Sequence, residues 1–330
     1  MMNLFNLHTL TILSASALLL LYFKRRRDSR FKRCRSKKSL HGKVVLITGG
    51  SSGLALRLGR QLAIEMVNRG ATTVIASPSE IRGRRAVDYI VSNSSCPTPK
   101  ITWLALDLAS KDSLNNFFHN FCSQFKHLDI LINNAGVMFW PYDVTSYGVE
   151  YHLGVNHIGP CYLTKLFLDM LKQSKSAKVI FISSGEYIRA KEPINMETPS
   201  PEEYNMQDQY ATSKLANILY AMALDKRFKS SNMPIKVFSI RPGFIRNTEL
   251  GRRFSAFLIF LSFPFIWYYS ITTKQASQAI LHCCLEDDIP SGKLYFNCEI
   301  QADGKLLTEE NMRDVVCKTD EIIENAFSGT

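Results

Sequence analysis

The chain of 330 residues has eight cysteines but no Cys-x-x-Cys pair, and only Cys283 and Cys284 are adjacent. Cysteines scattered in this way are typical of a reduced, cytosolic protein and argue against a disulfide framework or a zinc site. The sequence also lacks internal repeats and any linker rich in proline or glycine. About 290 residues follow position 40, and one α/β domain can have this length.

No lysine or arginine precedes the apolar stretch at residues 4–23, whereas a cleaved signal peptide carries its basic residues before its apolar segment. The stretch has about the length of a membrane-spanning helix. Ten basic residues and one acid, Asp28, follow at residues 24–40, and such a basic flank stays in the cytosol. We therefore expect residues 1–23 to form a membrane anchor, either a span or a segment in one leaflet, and residues 24–40 to form a basic juxtamembrane segment.

The positive charge of the chain is concentrated in that basic segment. Ten basic residues minus one acid give nine of the eleven net charges, so the remaining domain is nearly neutral. A nearly neutral domain argues against a nucleic acid as partner. The sequence predicts a membrane as partner, with the endoplasmic reticulum favoured and the surface of a lipid droplet as the alternative.

A glycine-rich turn follows the first predicted strand, residues 43–48, and precedes an amphipathic helix. Strand, glycine turn and helix in this order are typical of a dinucleotide site, where the backbone approaches a pyrophosphate at the helix amino end. Ala55 stands where a further glycine is expected, and its methyl group could displace the cofactor. The alternative interpretation is an ordinary β–α turn. The predicted cofactor contacts in this turn are Gly49, Ser51, Ser52, Gly53 and Leu54.

The second predicted strand, residues 72–77, ends without an acidic residue. An acid at this position would bind the ribose hydroxyl of NAD, whereas hydroxyls and cations suit the additional phosphate of NADP. This pattern favours NADP(H) and leaves NAD(H) as the alternative, because the arginines could equally be solvated helix residues. The residues that follow the strand are Ser77, Pro78, Ser79, Arg82, Arg84 and Arg85.

Polar residues also follow the third and fourth predicted strands, residues 101–106 and 128–132. Asp107 and Leu108 come directly after the third strand, and the carboxylate could accept from an adenine amino group or cap the helix that starts near Ser110. Asn133-Asn-Ala-Gly136 follows the fourth strand and could brace neighbouring loops beside a cofactor or form a plain turn.

Tyr210 and Lys214 are four residues apart, so a helix would place both side chains on one face. An ammonium group beside a phenol favours the phenolate and lowers its pKa. Such a pair could exchange a proton with an alcohol or carbonyl oxygen. Taken alone, the spacing occurs by chance in many helices.

The order of these motifs resembles that of the short-chain dehydrogenase/reductase superfamily over about residues 42–300 and, locally, its membrane-anchored retinol-dehydrogenase-like branch. The local likeness to that branch lies in residues 132–138, 154–159 and 210–217. The motifs that carry the resemblance are Thr48-Gly-x-x-x-Gly53, Asp107, Asn133-Asn-Ala-Gly136, Asn156, Ser183-Ser184, Tyr210-x-x-x-Lys214 and Pro242-Gly243.

The resemblance implies roles for four catalytic residues. Tyr210 would be the acid/base, and Lys214 would lower its pKa and bind the nicotinamide ribose. Ser184, preferred to Ser183, would hydrogen-bond the substrate oxygen. Asn156, in a helix expected over residues 145–171, would hold a water that relays protons to the lysine. The further implied cofactor contacts are Asp107, Leu108, Asn134, Gly136, Tyr210, Lys214, Pro242, Gly243 and Thr248.

The resemblance also implies a doubly wound parallel sheet, the Rossmann fold, in a single domain at residues 41–330. An aromatic-rich segment at about residues 250–273 would form a lid over an apolar substrate, although a buried helix pair is an equal alternative. The expected function is NAD(P)-dependent interconversion of a lipophilic alcohol and its aldehyde or ketone, such as a retinoid, steroid or isoprenoid-like lipid. The alternatives are an inactive membrane-anchored scaffold protein and a sugar-nucleotide epimerase. The oligomeric state, a homodimer included, stays open.

Overall fold

The computed structural model describes residues 14, 18–50, 55–245, 265–302 and 304–327. Its strands are β1 (Val44–Thr48), β2 (Thr72–Ser77), β3 (Ile101–Ala105), β4 (Ile130–Asn133), β5 (Ala177–Ile182), β6 (Ile235–Ile240), β7 (Leu294–Phe296) and β8 (Glu299–Ile300). They form one sheet in the order β3-β2-β1-β4-β5-β6-β7-β8. All neighbours are parallel except β7 and β8. The strand order reverses between β1 and β4, where folds of this kind bind ligands at the carboxyl ends.

Helices cover both faces of the sheet, so the predicted doubly wound α/β architecture is confirmed. A π-helical segment, Gly154–Ile158, and a 3₁₀ helix, Gly185–Arg189, are also present, and residues 18–28 and 265–269 are helical. The other helices are α1 (Ala55–Val67), α2 (Glu80–Asn93), α3 (Lys111–Gln124), α4 (Tyr151–Leu153), α5 (Gly159–Leu166), α6 (Leu168–Lys172), α7 (Met206–Ser230), α8 (Thr273–Leu285) and α9 (Glu309–Phe327).

Each face of the sheet carries its own apolar core, because neighbouring strand residues point to opposite faces. On β1, Leu46 packs into one core, and Val45 and Ile47 pack into the other. All three side chains are fully buried. A strand buried on both faces needs a continuous apolar run, and this explains why these strands could be recognised in the sequence.

The helix expected over residues 145–171 was wrong in its start and in its continuity. The helix starts at Tyr151, where the Glu150 carboxylate accepts from the backbone N–H of Leu153 over 2.9 Å. Gly148 has a φ of +81°, which excludes a right-handed helix through the preceding turn. The π-helical segment and a break at Phe167 then divide the remainder.

The predicted membrane anchor lies mostly outside the described residues. Within the described part of the chain, no helix combines the length and the apolar character needed to cross a membrane. The apolar side chains at 18–23 are exposed. Lys24 is buried and donates to the backbone carbonyls of Tyr268 and Ser270 over 3.1 and 2.6 Å. The stretch at 18–28 therefore packs against the described end of the predicted lid, whose residues 250–264 are not described.

Candidate active site

Tyr210 and Lys214 lie in α7, and the structure places both in the interior beside the end of β5. Asn205 caps this helix by accepting from the backbone N–H groups of Gln207 and Asp208. The Nζ atom of Lys214 lies 5.7 Å from the centroid of the Tyr210 ring. The same ammonium group donates to the carbonyl of Ile182 over 3.1 Å. The helix thus presents a phenol and an ammonium group together at the carboxyl edge of the sheet.

Burial is the largest influence on the pKa values of Tyr210 and Lys214. It raises the pKa of Tyr210 to about 12, although a hydrogen bond with the Ser184 hydroxyl opposes the rise and Glu186 adds to it. Burial also lowers the pKa of Lys214 to about 8. The expectation that Lys214 lowers the pKa of the tyrosine is therefore not met in this structure, because the loss of hydration on burial sets the direction of the shift. At neutral pH the phenol is protonated and can donate.

The two adjacent serines after β5 make different contacts. Ser183 is buried, and its hydroxyl donates to the backbone carbonyl of Lys214 over 2.7 Å. Ser184 caps the 3₁₀ helix by accepting from the Glu186 N–H over 3.3 Å, and it lies beside Tyr210. These contacts favour Ser184 as the residue that meets a substrate oxygen, while Ser183 holds the helix that carries the lysine.

Asn156 lies in the π-helical segment and holds the loop after β4. Its Oδ1 accepts from the backbone N–H of Val137 over 2.7 Å, and its Nδ2 donates to the carbonyl of the same residue over 3.0 Å. Nδ2 also lies 3.0 Å from the Ser213 hydroxyl oxygen. A Cβ atom on Gly136 would lie 3.0 Å from Asn156 Oδ1 and 3.2 Å from Lys214 Nζ. The absence of a side chain at Gly136 therefore lets this loop approach Asn156 and Lys214.

A buried polar chain that the sequence analysis missed connects Asn156 to the carboxyl-terminal helix. Asn217 Nδ2 donates to the backbone carbonyl of Asn156 over 2.9 Å, and its Oδ1 lies 3.0 Å from His157 Nδ1. His157 Nε2 lies 2.8 Å from the hydroxyl oxygen of Thr319 in α9. Burial lowers the pKa of His157 to about 4, so the ring is neutral at neutral pH. Polar residues inside otherwise apolar helical runs were the available signal.

A second missed group, Glu150, His152 and Tyr204, lies behind Tyr210. The carboxylate of Glu150 and the ring of His152 are fully buried, and Nδ1 of the ring lies 2.8 Å from Oε1. The backbone N–H of Trp140 donates to His152 Nε2 over 3.2 Å, and the Tyr204 hydroxyl donates to the carbonyl of Trp140 over 2.5 Å. The His152 ring centroid lies 6.2 Å from that of Tyr210. This group fixes an aromatic loop beside the tyrosine.

The turn after β1 leaves room for a backbone to approach a phosphate. Gly49 and Gly50 have φ values of +77° and +111°, a region that favours glycine. A Cβ on Gly49 would lie 3.1 Å from Asn134 Nδ2, and that amide donates to the carbonyl of Thr48 over 2.8 Å. Asn134 Oδ1 is buried without a hydrogen-bond partner among the described residues. The described part of the turn fits a dinucleotide, while Ser51, Ser52, Gly53 and Leu54 lie outside the described residues.

Ala55 is accommodated at the start of α1. A Cβ on Gly49 would lie only 2.9 Å from the methyl carbon of Ala55, so this methyl group occupies the space beside the glycine. One helical turn later, a Cβ on Gly59 would lie 2.8 Å from the Cα of Gly50. The close approach of helix and turn, for which the last glycine of such a motif normally serves, is supplied here by Gly59. The sequence analysis missed this residue.

Some of the residues predicted to contact the adenosine part of the cofactor are hydrogen-bonded to other groups of the protein. Asp107 Oδ1 accepts from the Ala109 N–H over 2.9 Å, and Ser110, rather than Asp107, caps α3. Leu108 is buried. At the end of β2, the hydroxyl of Ser77 accepts from the indole N–H of Trp103 over 2.9 Å. Arg82, Arg84 and Arg85 are exposed, and Arg84 pairs with Glu80 over 2.8 Å.

Pro242 and Gly243 follow β6 at the same edge of the sheet. Gly243 has a φ of +89°, and a Cβ there would lie 3.0 Å from the Cδ1 of Ile271 and 3.2 Å from a ring carbon of Phe296. Only glycine fits this position without strain. Thr248, the last predicted cofactor contact, lies outside the described residues.

Comparisons with known proteins agree with this arrangement. A family model described as short chain dehydrogenase matches residues 43–257. Retinol dehydrogenase 12 of Homo sapiens is 36% identical over 270 residues, which cover 81% of either chain. Retinol dehydrogenase 14 of Mus musculus is 34% identical over 275 residues and 79% of either chain.

Solved structures show the same fold. The crystal structure of an uncharacterised protein from Mycobacterium Paratuberculosis has a TM-score of 0.68 at 23% identity, covering 88% of this chain and 96% of that one. A short chain dehydrogenase from Salmonella enterica has a TM-score of 0.59 at 20% identity, covering 79% and 98%. The chain belongs to the short-chain dehydrogenase family, in its retinol-dehydrogenase-like branch, and is an NAD(P)-dependent short-chain dehydrogenase/reductase.

Proposed function

We propose that this protein interconverts a lipophilic alcohol and its aldehyde or ketone, with NADP(H) as the preferred cofactor and Tyr210 as the acid/base. The observation that carries the proposal is the convergence of Ser184, Tyr210 and Lys214 at the carboxyl edge of the sheet. The retinol dehydrogenases among the relatives support a retinoid or another isoprenoid-like or steroid substrate.

The residues of the chain bind the substrate oxygen and transfer the proton. A bound nicotinamide supplies the hydride in reduction and accepts it in oxidation. Ser184 donates to the substrate oxygen and stabilises the charge that develops there. Tyr210, protonated at neutral pH because burial raises its pKa, donates its proton to the same oxygen. Lys214 places a positive charge beside the phenolate that remains, and this charge lowers the cost of the transfer.

The cofactor would lie in the crevice between β1 and β4. Gly49, Asn134 and Gly136 border this crevice, and a Cβ on Gly49 or Gly136 would crowd Asn134 or Asn156 and so displace the backbone that lines it. The preference for NADP(H) rests on the region where β2 ends and α2 begins. Exposed arginines follow the strand there, and the strand does not end in an acidic residue. Arg84 is paired with Glu80, so Arg82 and Arg85 are the cations offered to the additional phosphate.

An apolar substrate fits the aromatic surroundings of Tyr210. The rings of Trp140 and Tyr151 stack with centroids 4.9 Å apart, and Tyr142 meets Tyr204 edge-on at 5.4 Å. The exposed apolar side chains at 18–23, with Phe265 and Tyr269 nearby in the fold, support attachment to a membrane surface. We propose the cytosolic face of the endoplasmic reticulum, with a lipid droplet as the alternative, so that a lipid substrate can enter from the bilayer.

Nucleotide titration tests the cofactor assignment. The full chain in detergent is titrated with NADPH and with NADH, and binding is followed by the quenching of its intrinsic fluorescence. We expect NADPH to bind more tightly, and removal of Arg82 and Arg85 together to weaken NADPH at least about tenfold while NADH is unaffected. The matched control is Arg84→Ala, which should leave both affinities unchanged. Equal affinities for the two nucleotides would refute the NADP preference, and a folded chain that binds neither would favour the scaffold interpretation.

A further inference from the structure

We infer that Cys34, His282 and Glu286 form a binding site for a divalent zinc ion on the face of the sheet away from α7. The thiol sulfur, one imidazole nitrogen and one carboxylate oxygen all lie within 4.8 Å of one another. Cys34 lies far from His282 and Glu286 in sequence, so no local spacing covers all three ligands. The absence of a Cys-x-x-Cys pair argued against zinc only for ligands that are neighbours in the chain.

One helix defines the geometry of the three ligands. His282 and Glu286 are separated by four residues, at α8 and its carboxyl-terminal cap, so their side chains point to the same side. Gln278 of the same helix accepts from the backbone N–H of Cys34 over 3.1 Å. The helix therefore supplies two ligands and also fixes the segment that carries the third.

The potential ligand atoms are not committed to other strong partners. Within the described ranges of the chain, no lysine or arginine lies within ion-pair distance of the Glu286 carboxylate. No hydrogen bond to a ring nitrogen of His282 occurs among those residues either. The Cys34 thiol is free of any disulfide and receives only a hydrogen bond from the Ser36 backbone. These groups can turn toward an ion without breaking a salt bridge.

Nearby cations do not repel an ion strongly, because each is paired with an acidic residue, and Asp287 is shared between Lys178 and Lys38. Lys32 pairs with Glu299 over 2.5 Å, and Arg69 with Glu65 over 2.7 Å. The third cation, Lys178, pairs with Asp287 over 3.2 Å and donates to the Glu286 backbone carbonyl. The acidic partners are Glu65, Asp287 and Glu299. The carboxylate of Glu286 and a thiolate at Cys34 would therefore face the ion as uncompensated negative charges.

The donor set selects the class of ion. A sulfur, a nitrogen and an oxygen ligand suit zinc, whereas magnesium and calcium prefer oxygen alone. Tetrahedral zinc, with bonds of about 2.0–2.3 Å, spaces its ligand atoms roughly 3.3–3.8 Å apart, so small rotations of half-buried side chains would close the site. Three protein ligands leave a fourth position for water.

The site would fasten the basic juxtamembrane segment to the domain. Phe31 and Cys34 of this segment pack against the core beneath α8. Lys24, at the start of the segment, is hydrogen-bonded to the end of the predicted lid. A zinc ion at Cys34 would therefore hold the membrane-side segment in a fixed position relative to α8. Its role is structural, and it needs no part of the proposed oxidoreductase reaction.

Metal titration of the full chain tests the inference. The protein is treated with a chelator in reducing buffer and titrated with Zn²⁺ by calorimetry, and Co²⁺ is used as a spectroscopic probe of thiolate ligation. We expect one equivalent to bind and to raise the melting temperature. The variants Cys34→Ser and His282→Gln should each weaken binding at least about tenfold, and Cys34→Ser should abolish the thiolate-to-cobalt band.

Matched controls separate this site from adventitious binding. Cys317 and His119 are exposed on α9 and α3, so Cys317→Ser and His119→Gln should leave the affinity unchanged. The isosteric Glu286→Gln removes only a charge and provides an independent test if another variant fails to fold. Absence of stoichiometric binding, or unchanged affinity in Cys34→Ser, His282→Gln and Glu286→Gln, would overturn the inference. Nucleotide binding is a separate readout that these variants should not alter.

Discussion

The hydroxyl of Ser183 donates to the backbone carbonyl of Lys214 over 2.7 Å, which ties the end of β5 to α7. The next residue, Ser184, lies beside the Tyr210 hydroxyl instead. Two adjacent serines therefore serve two purposes, one in holding the helix and the other in the proposed chemistry.

This division predicts opposite phenotypes for the two alanine variants. Ser184→Ala should lower kcat by about 10²–10³-fold, because it removes a donor to the developing charge, while the melting temperature stays close to wild type. Ser183→Ala should keep most of the activity and lose about 1 kcal/mol of stability, the usual contribution of one buried hydrogen bond. Steady-state kinetics and thermal unfolding of both variants check the prediction. Equal losses of kcat in the two variants would refute it.

The buried Lys214 should make stability depend on pH in a defined direction. Its pKa is about 8 in the folded protein, below the ordinary lysine value of about 10.4. As the pH rises, Lys214 loses its proton in the folded state before it does so in the unfolded chain. The contribution of Lys214 to the free energy of unfolding should therefore rise by about 3 kcal/mol between pH 8 and 10.5. Buried thiols oppose the rise above about pH 9, so the difference between wild type and Lys214→Met is the quantity to measure. A difference that stays constant over this range would contradict the prediction.

Gly49 and Gly42 provide a matched pair for testing the phosphate turn. Their φ values are +77° and +76°, but a Cβ on Gly49 would lie 2.9 Å from Ala55, whereas nothing lies within 4 Å of a Cβ on Gly42. Gly42→Ala should cost roughly 1–2 kcal/mol from backbone strain alone. Gly49→Ala should cost more and should also weaken nucleotide binding. Chemical denaturation and nucleotide titration of both variants distinguish the two effects, and equal costs would mean that the turn is not tightly packed.

His157 should make the protein sensitive to acid. Its pKa is about 4 in the folded state, against about 6.5 in the unfolded chain. The unfolded chain takes up the proton first, so stability should fall by about 3 kcal/mol as the pH decreases from 6.5 to 4. His157→Gln should remove this part of the decline, while His119→Gln, on the surface, should retain it. Urea unfolding at pH 7 and pH 5 measures the difference, and parallel declines in wild type and His157→Gln would contradict the prediction.

The sequence predicted the strands well, and it also placed Tyr210 and Lys214 on one helix, because both predictions rest on short-range patterns. The apolar run at Val44–Thr48 and the four-residue spacing of Tyr210 and Lys214 are local signals, and the structure confirms the elements that contain them. The helix start at Tyr151 was missed because Gly148 gives no sign in the sequence that its φ is positive.

Contacts between distant residues could not be predicted in the same way. Thr319 reaches His157 across 162 positions of the chain, and Cys34 meets α8 across 244 positions. No spacing rule covers such distances. The pKa of Tyr210 was expected to fall because Lys214 is close in sequence, but its direction is set by burial, which depends on the packed fold.

The most direct test of the central claim compares wild type with Tyr210→Phe in a turnover assay. The full chain in detergent is given NADPH with all-trans retinaldehyde and a panel of other lipophilic aldehydes and ketones, and the loss of NADPH is followed with the formation of alcohol. We predict turnover by wild type and a rate at least about 10²-fold lower for Tyr210→Phe, which lacks the donated proton, with nucleotide affinity retained. A Tyr210→Phe variant that turns over at the wild-type rate would contradict the account.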